Sequence, residues 1–414
     1  MTPGRDIEAA AGQLVEPTVP VPAAGTALRL AVVTETYPPE INGVAHTVQH
    51  MVDGMRERGH DIQLIRPRQG RDDRGWRERG LQVRPQPGAP IPGYANLRFG
   101  FPVRRRIRHA WHAFEPDAVY IATEGPLGGA ALAAARSLGL PVVAGFHTNF
   151  DRYSRYYGVG FLEPVIHGFL RRFHNRAQVT LVPTAELKRQ LEAMGFDHCR
   201  VLSRGVDTAL FNPHRRDQTL RTAWRASADG PVVLYVGRLA PEKNLDLAVR
   251  AFRAMQARRP EARFVLVGDG PATPELRRLN PDFVFAGMRR GVDLAAHYAS
   301  ADVFLFPSTT ETFGNVVIEA MASGLAVVAF AYAAPGEHIR HEETGLLAPL
   351  RDADSFMRLA TRLADSPARC HDLGTAARRR AEALDWQAIY QELEALFEEL
   401  SRASKHHASD EPLR

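Results

Sequence analysis

The sequence predicts an α/β protein made of two doubly wound, Rossmann-like parallel sheets that face one another across a cleft. Three observations carry that prediction. Short apolar runs bounded by turn residues alternate with stretches of helical period, the βαβ rhythm of a parallel sheet. The rhythm breaks at a polar, irregular segment, SRGVDTALFNPHRRD (203–217), and then restarts. Finally, 414 residues are long for one core, so two domains of roughly 180 residues each are expected.

Residues 1–26 hold VEPTVPVPAAG, rich in proline and small residues, and are expected to be a disordered lead-in. The first domain, 27–204, opens with RLAVVTETY (29–37), a compact apolar run suited to a buried parallel strand. VAHTVQHMVDGMRERGH (44–60) follows with helical spacing and a stop at Gly59. DIQLIRP, DAVYIAT, PVVAGFH and VTLVPT read as further strands. The second domain, 205–384, repeats the pattern with GPVVLYVG, ARFVLVG, DFVFAG, DVFLFPS and AVVAF. A long amphipathic helix is expected over 385–403, and a frayed tail over 404–414.

Hydrophobic content of 45% and charged content of 24% are those of an ordinary soluble enzyme. Cys199 and Cys370, the two cysteines, form no CxxC pattern, which argues against a disulfide framework or a zinc site. No stretch reaches transmembrane length and the start MTPGRDIEAA lacks a basic-then-apolar leader, so a cytoplasmic location is expected. The charge is uneven. Residues 1–200 carry 25 Lys and Arg against 19 Asp and Glu, whereas residues 201–414 carry 27 against 28. The first half is therefore the one expected to meet an anionic surface. No motif names a nucleic acid as partner.

In open α/β sheets ligands sit beyond the carboxyl ends of the strands, so the residues that follow strands are the first candidates. YVGRLAPEKNLD (235–246) places Arg238 and Lys243 there, a guanidinium fork and a point charge able to grip a diphosphate. Two solvated loop cations are the plainer reading, but the chain holds only three lysines, Lys188, Lys243 and Lys405. LVGDGPATPEL (266–276) offers Gly268, Asp269 and Gly270, where glycine permits close backbone approach to a ligand or simply a tight turn. FAGMRRGVD (285–293) could present backbone groups to the edge of a base. ETFGNVVIEAMASG (311–324) sets Phe313, Gly314 and Asn315 at a helix start near Val316, whose free N–H groups and positive dipole end favour anions. Glu311 before that start and Glu319 inside it are acceptors suited to vicinal hydroxyls such as those of sugars.

Together the Glu-x7-Glu spacing, GRLAPEKN, GDGP and the paired α/β domains resemble the retaining glycosyltransferases of family four, with the GT-B fold. The resemblance spans about residues 29 to 400 and implies a C-terminal helix that crosses back to the first domain. It assigns Glu311 to the donor sugar, Glu319 to the ribose, Arg238 and Lys243 to the diphosphate, and the amides of Phe313, Gly314 and Asn315 to the sugar. Gly43 in ETYPPEINGVAHTV (35–48) matches the loop beside the donor phosphates, although it is equally a loop-to-helix turn. In GFHTNFDRYSRYYG (145–158), His147 matches the histidine near the reacting carbon, a catalytic role shared with Arg238, Lys243 and Glu311. The HTNFDxYxxYYG run is similar to that of bacterial glycolipid mannosyltransferases and sulfolipid synthases, which makes Asn149, Asp151 and Tyr153 candidate acceptor-binding residues. Glu124 in ATEGPLGG joins them, or else caps a helix.

FPVRRRIRHAWHAF (101–114) reads as a basic amphipathic helix, with Arg104, Arg105, Arg106, Arg108 and Trp111 expected to contact an anionic membrane. The expected partners are thus a nucleotide sugar, a lipid or glycolipid acceptor and that membrane. No cofactor or metal is implied, since the one Asp-x-Asp, Asp352 and Asp354, looks like a helix N-cap. The resemblance leans toward GDP-mannose, with a UDP-sugar and a diacylglycerol acceptor as the alternative. A dehydrogenase is disfavoured because TETYPPEING replaces the GxGxxG expected after the first strand. An epimerase or a silent nucleotide-sugar-binding protein would be told apart by turnover without acceptor, or by binding without transfer.

Overall fold

The computed structural model describes residues 27–40, 42–91, 94–147, 163–228 and 230–410. The first domain runs β1 (Arg29–Val33), α1 (Gly43–Glu57), β2 (Asp61–Pro67), β3 (Trp76–Glu78), β4 (Leu81–Gln86), β5 (Gly88–Ile91), β6 (Tyr94–Gly100) and α2 (Arg104–Phe114). It continues with β7 (Ala118–Ile121), α3 (Pro126–Ser137), β8 (Val142–Gly145), α4 (Glu163–His174), β9 (Val179–Val182), α5 (Ala185–Ala193) and β10 (Cys199–Val201). Eight strands form one sheet in the order β10-β9-β8-β7-β1-β2-β4-β3, parallel except where β3 turns back on β4. β5 and β6 pair as a separate antiparallel ribbon.

The second domain comprises α6 (Gln218–Ala223), β11 (Val232–Val236), α7 (Leu245–Arg258), β12 (Arg263–Val267), α8 (Thr273–Leu279), β13 (Val284–Gly287), α9 (Gly291–Ala299) and β14 (Val303–Phe306). Then come α10 (Asn315–Ala322), β15 (Ala326–Phe330), α11 (Ala333–His338), β16 (Leu346–Ala348), α12 (Ala353–Ala364) and α13 (Pro367–Ala381). Its six parallel strands take the order β13-β12-β11-β14-β15-β16. All five residues of β11 and of β15 are buried. Helices cover both faces of the sheet, which is why these strands read as continuous apolar runs rather than as alternation.

In each sheet the chain direction of winding reverses once, between β1 and β7 and between β11 and β14. Such a reversal opens a crevice at the carboxyl ends of the strands. The loops leaving β7, β8, β11 and β14 carry Glu124, His147, Arg238–Lys243 and Glu311–Asn315, respectively.

The last helix, α14 (Trp386–Asp410), returns to the first domain. Trp386, Tyr390, Leu393, Leu396 and Phe397 enter one apolar cluster with Val48, Met51 and Val52 of α1. Gly54, a costly residue within a helix, makes room for this contact: a Cβ there would lie 2.4 Å from Cζ of Tyr390. Arg58 and Glu394 pair across the same seam. The tail expected to fray from 404 is instead helical through Asp410, and Lys405 donates to Asp117 at 2.8 Å. Asp352 caps α12 through Ser355 N, at 2.9 Å.

Candidate active site

The second-domain side of the crevice is built by three loops laced together. Leaving β11, the chain turns at Gly237 and reaches Arg238, whose guanidinium pairs with Glu242, a carboxylate on a residue only 1% exposed. Thr310 Oγ1 donates to Glu242 O at 3.1 Å and Asn244 Nδ2 to Pro307 O at 3.1 Å, which ties this loop to the one leaving β14. The consequence is a short ion pair: Lys243 Nζ donates to Glu311 Oε1 at 2.5 Å, and Ser308 Oγ donates to the same oxygen at 2.7 Å. Burial alone would push the Glu311 carboxyl up. Lys243, Ser308 and Arg204 more than offset that and hold it below its ordinary value.

The turn after Glu311 ends in Gly314, at φ +98° the N-cap of α10. A side chain is disfavoured in that backbone region, and a Cβ there would sit 3.2 Å from the Phe306 ring. Phe313 is buried, so the turn offers backbone amides at the start of α10 while its side chain anchors the loop. One turn into α10, Glu319 accepts from Tyr298 Oη at 2.9 Å. Burial raises its carboxyl to about 7, with the tyrosine hydrogen bond only partly opposing this. Glu319 also lines a cavity of about 50 Å³ between the domains, with His46, His50, Asp207, Asn315 and Trp386.

At Gly268 and Gly270 the close approach comes from within the protein. A Cβ on Gly268 would lie 2.0 Å from Gly237 O, and one on Gly270 would lie 2.3 Å from Leu239 O. What these glycines admit is the backbone of the Arg238 loop. Asp269 serves the same turn, accepting from Gly270 N at 2.8 Å and Thr273 Oγ1 at 2.7 Å.

On the opposite wall, His147 leaves β8 with Nε2 2.6 Å from Tyr120 Oη. Its Nδ1 accepts from Arg204 at 3.1 Å. Burial, then the charge of Arg204 and the nearby His174, drive the imidazole well below its ordinary pKa, so it is neutral. Gly43 opens α1 behind the Asn42 cap, which accepts from Ala45 N at 2.8 Å. Asn149, Asp151 and Tyr153 lie outside the described residues.

Two expectations are corrected. Glu124 neither caps a helix nor opens onto the crevice: it is 3% exposed and its Oε1 lies 3.1 Å from His174 Nε2. An isolated carboxylate at that depth requires such a partner. Trp111 is 1% exposed and packs with Ile107 against Leu127 and Ala131 of α3. The apolar stripe of α2 therefore faces the protein core, and of the five residues expected at a membrane Arg104, Arg105, Arg106 and Arg108 stay exposed. An exposed apolar and basic face lies instead on α4, where Val165 and Phe169 are 68% and 53% exposed beside Arg171 and Arg172. No helix among the described residues is long and apolar enough to cross a membrane.

Three contributors escaped the sequence reading. Glu242 and Tyr298 hold Arg238 and Glu319; Glu242 lies within the GRLAPEKN stretch, whereas nothing local marks Tyr298. Arg204 lies in the irregular segment 203–217 yet follows β10, so the strand-end rule identifies it.

Two sheets meet here at their strand ends, with a helix N-terminus, two cations and two carboxylates between them, an arrangement able to hold an anionic, hydroxyl-bearing ligand. The family described as "Glycosyltransferase Family 4" matches residues 41–210, and "Glycosyl transferases group 1" matches residues 230–366. The chain belongs to this family of glycosyltransferases with the GT-B fold. It is 36% identical over 375 residues to a GDP-mannose-dependent alpha-mannosyltransferase of Mycolicibacterium smegmatis, covering 90% of this chain and 97% of that protein. It is 32% identical over 371 residues to the sulfoquinovosyl transferase SQD2 of Arabidopsis thaliana, covering 87% and 71%. Among solved structures, sucrose-phosphate synthase from Thermosynechococcus elongatus shares the fold at a TM-score of 0.72 and 20% identity, over 91% of this chain and all of that one.

Proposed function

We propose that this glycosyltransferase moves mannose from GDP-mannose, with retention, onto a lipid or glycolipid acceptor at the cytoplasmic face of an anionic membrane. The observation that carries the chemistry is the Lys243–Glu311 pair beside the amide-bearing start of α10, with Arg238 on the adjoining loop. The donor rests on the relatives, of which the mannosyltransferase at 36% identity is named for GDP-mannose. The SQD2 match favours a second reading, the same chemistry with a UDP-sugar and a diacylglycerol acceptor.

In the proposed step the acceptor oxygen bonds to the anomeric carbon as the bond from that carbon to the diphosphate breaks. The acceptor proton passes to the departing diphosphate on the same face of the sugar. Arg238 and Lys243 stabilise the charge that gathers there, while Glu311 and the turn amides hold the sugar hydroxyls. His147, neutral and turned toward Tyr120, is suited to orienting the sugar rather than to donating a proton. No metal is assigned to this step. Membrane contact is proposed for the exposed arginines of α2 together with the α4 face.

Calorimetric titration with GDP, UDP and ADP, with and without EDTA, tests the reading. GDP binding that ignores EDTA is expected, and Lys243→Ala should lower the transfer rate by on the order of 10²–10³. Preference for UDP moves the donor to the second reading. Binding of none of the three removes the donor site.

A further inference from the structure

Arg204 belongs to neither sheet. It lies between the end of β10 at Val201 and the start of α6 at Gln218, in the connection that joins the domains. It is nevertheless 6% exposed. Each arm of its guanidinium reaches a different domain. Nη2 donates to His147 Nδ1 of the first domain at 3.1 Å, and Nη1 donates to Asn315 Oδ1 of the second at 3.1 Å. The plane also lies over Phe313, with Cζ 5.2 Å from the ring centroid. The three residues it touches are the histidine and two members of the turn assigned above to the donor sugar.

We propose that Arg204 is a positioning residue for the donor sugar, bridging His147 to the Phe313–Asn315 turn so that the two halves of the sugar pocket are held in one register. The proposal rests on the donor-site reading given above and extends it to a residue outside the diphosphate grip. A rigid fork is what this bridge needs. Two donors in one plane can serve acceptors on two sides at once, whereas a lysine ammonium on a flexible stem serves one geometry poorly in place of the other. The bridge also selects the His147 tautomer. With Nδ1 accepting from arginine, the neutral ring carries its proton on Nε2 and donates it toward Tyr120 Oη. Burial lowers the Arg204 guanidinium to about 10, with Tyr120 and Glu311 opposing, so it stays charged at neutral pH.

Among the described residues, the titratable and charged groups around His147 are Tyr120 of β7, Arg204 of the connection, and His174 of α4. His174 is itself paired with Glu124. Removing Arg204 takes away one cation and the only hydrogen bond that requires an unprotonated Nδ1 among these. The His147 imidazole should then protonate more readily, and the misplaced ring should slow transfer.

The test is a comparison of wild type, Arg204→Met, Arg204→Lys, His147→Phe and the Arg204→Met/His147→Phe double variant. Nucleoside diphosphate affinity, urea midpoint, and the kcat and KM of transfer are measured for each, with kcat followed from about pH 5 to 8. Expected for Arg204→Met are GDP affinity within about twofold of wild type and a kcat lowered about 10²-fold, as for a misplaced reacting group. An acidic limb absent from wild type should also appear in its profile. Arg204→Lys should retain GDP affinity and recover only part of kcat. The double variant should be no slower than the slower single one, because both substitutions break one unit. Wild-type kcat with an unchanged pH profile in Arg204→Met overturns the proposal, as do multiplicative losses in the double variant. Equal loss of GDP affinity and kcat in both Arg204 variants also overturns it, since that is the mark of a merely structural residue. If wild type binds no nucleoside diphosphate, the donor-site reading fails and takes this proposal with it.

Discussion

Relative to wild type, Glu319→Gln should gain stability as the pH rises, and it should be less able to hold its donor. The carboxyl is raised from 4.5 to about 7 by burial beside Tyr298. A carboxyl raised on folding contributes nothing below about pH 4.5, where both folded and unfolded forms are protonated. As the pH rises, the unfolded form ionises first, so stability is lost progressively until the folded group also ionises near 7. The cost reaches about 3 kcal/mol at about pH 8.5 and only about 1 kcal/mol at about pH 5.5. Glu319 keeps some contact with solvent, so these figures are ceilings. Glutamine removes the titration but brings an amide N–H₂ that costs roughly 1–3 kcal/mol if left unpaired. That second cost does not depend on pH, so the difference between the two pH values isolates the carboxylate. Urea unfolding of wild type and Glu319→Gln at both pH values should show the advantage of the variant growing by about 2 kcal/mol. GDP affinity should fall about tenfold or more, since a charged acceptor is lost. A stability difference that is the same at both pH values refutes the reasoning.

Gly268→Ala forces a Cβ to 2.0 Å from Gly237 O at φ +130°. It should cost about 2 kcal/mol or more in thermal or urea unfolding and weaken GDP binding by displacing the Arg238 loop. Trp111→Ala should lower stability by about 3–5 kcal/mol without a specific loss of affinity for anionic vesicles. Phe169→Ser/Arg172→Ser on α4 should do the reverse, reducing co-sedimentation with phosphatidylglycerol vesicles about tenfold at unchanged stability.

The parallel strands and the loops that follow them were legible in the sequence because their determinants are local. A strand covered on both faces is apolar at every position, as in VVLYV and AVVAF. Arg238 and Lys243 lie two and seven residues beyond Val236, and Glu311 five beyond Phe306, the strand ends that aim them. Helical periodicity, by contrast, reports that a helix has an apolar stripe but not what covers it. FPVRRRIRHAWHAF therefore read as a membrane helix, although Ile107 and Trp111 face α3. The glycines of GDGP likewise announced a close approach without naming the approaching group, which is the backbone of Gly237 and Leu239. Glu124 signalled an acid at a strand end, and only the fold brought His174 to it from 50 residues away.

By itself, then, the sequence determined the two-sheet architecture and the strand ends that face the crevice, with the charged and glycine-bearing loops that follow them. Tertiary structure decided which of those groups pair. Lys243 meets Glu311 across 68 residues, and Arg204 reaches His147 across 57 and Asn315 across 111. The physical reason is that propensity and periodicity act between neighbours in the chain. Burial and electrostatic pairing act between neighbours in space, and space is assigned only when the two sheets close on each other.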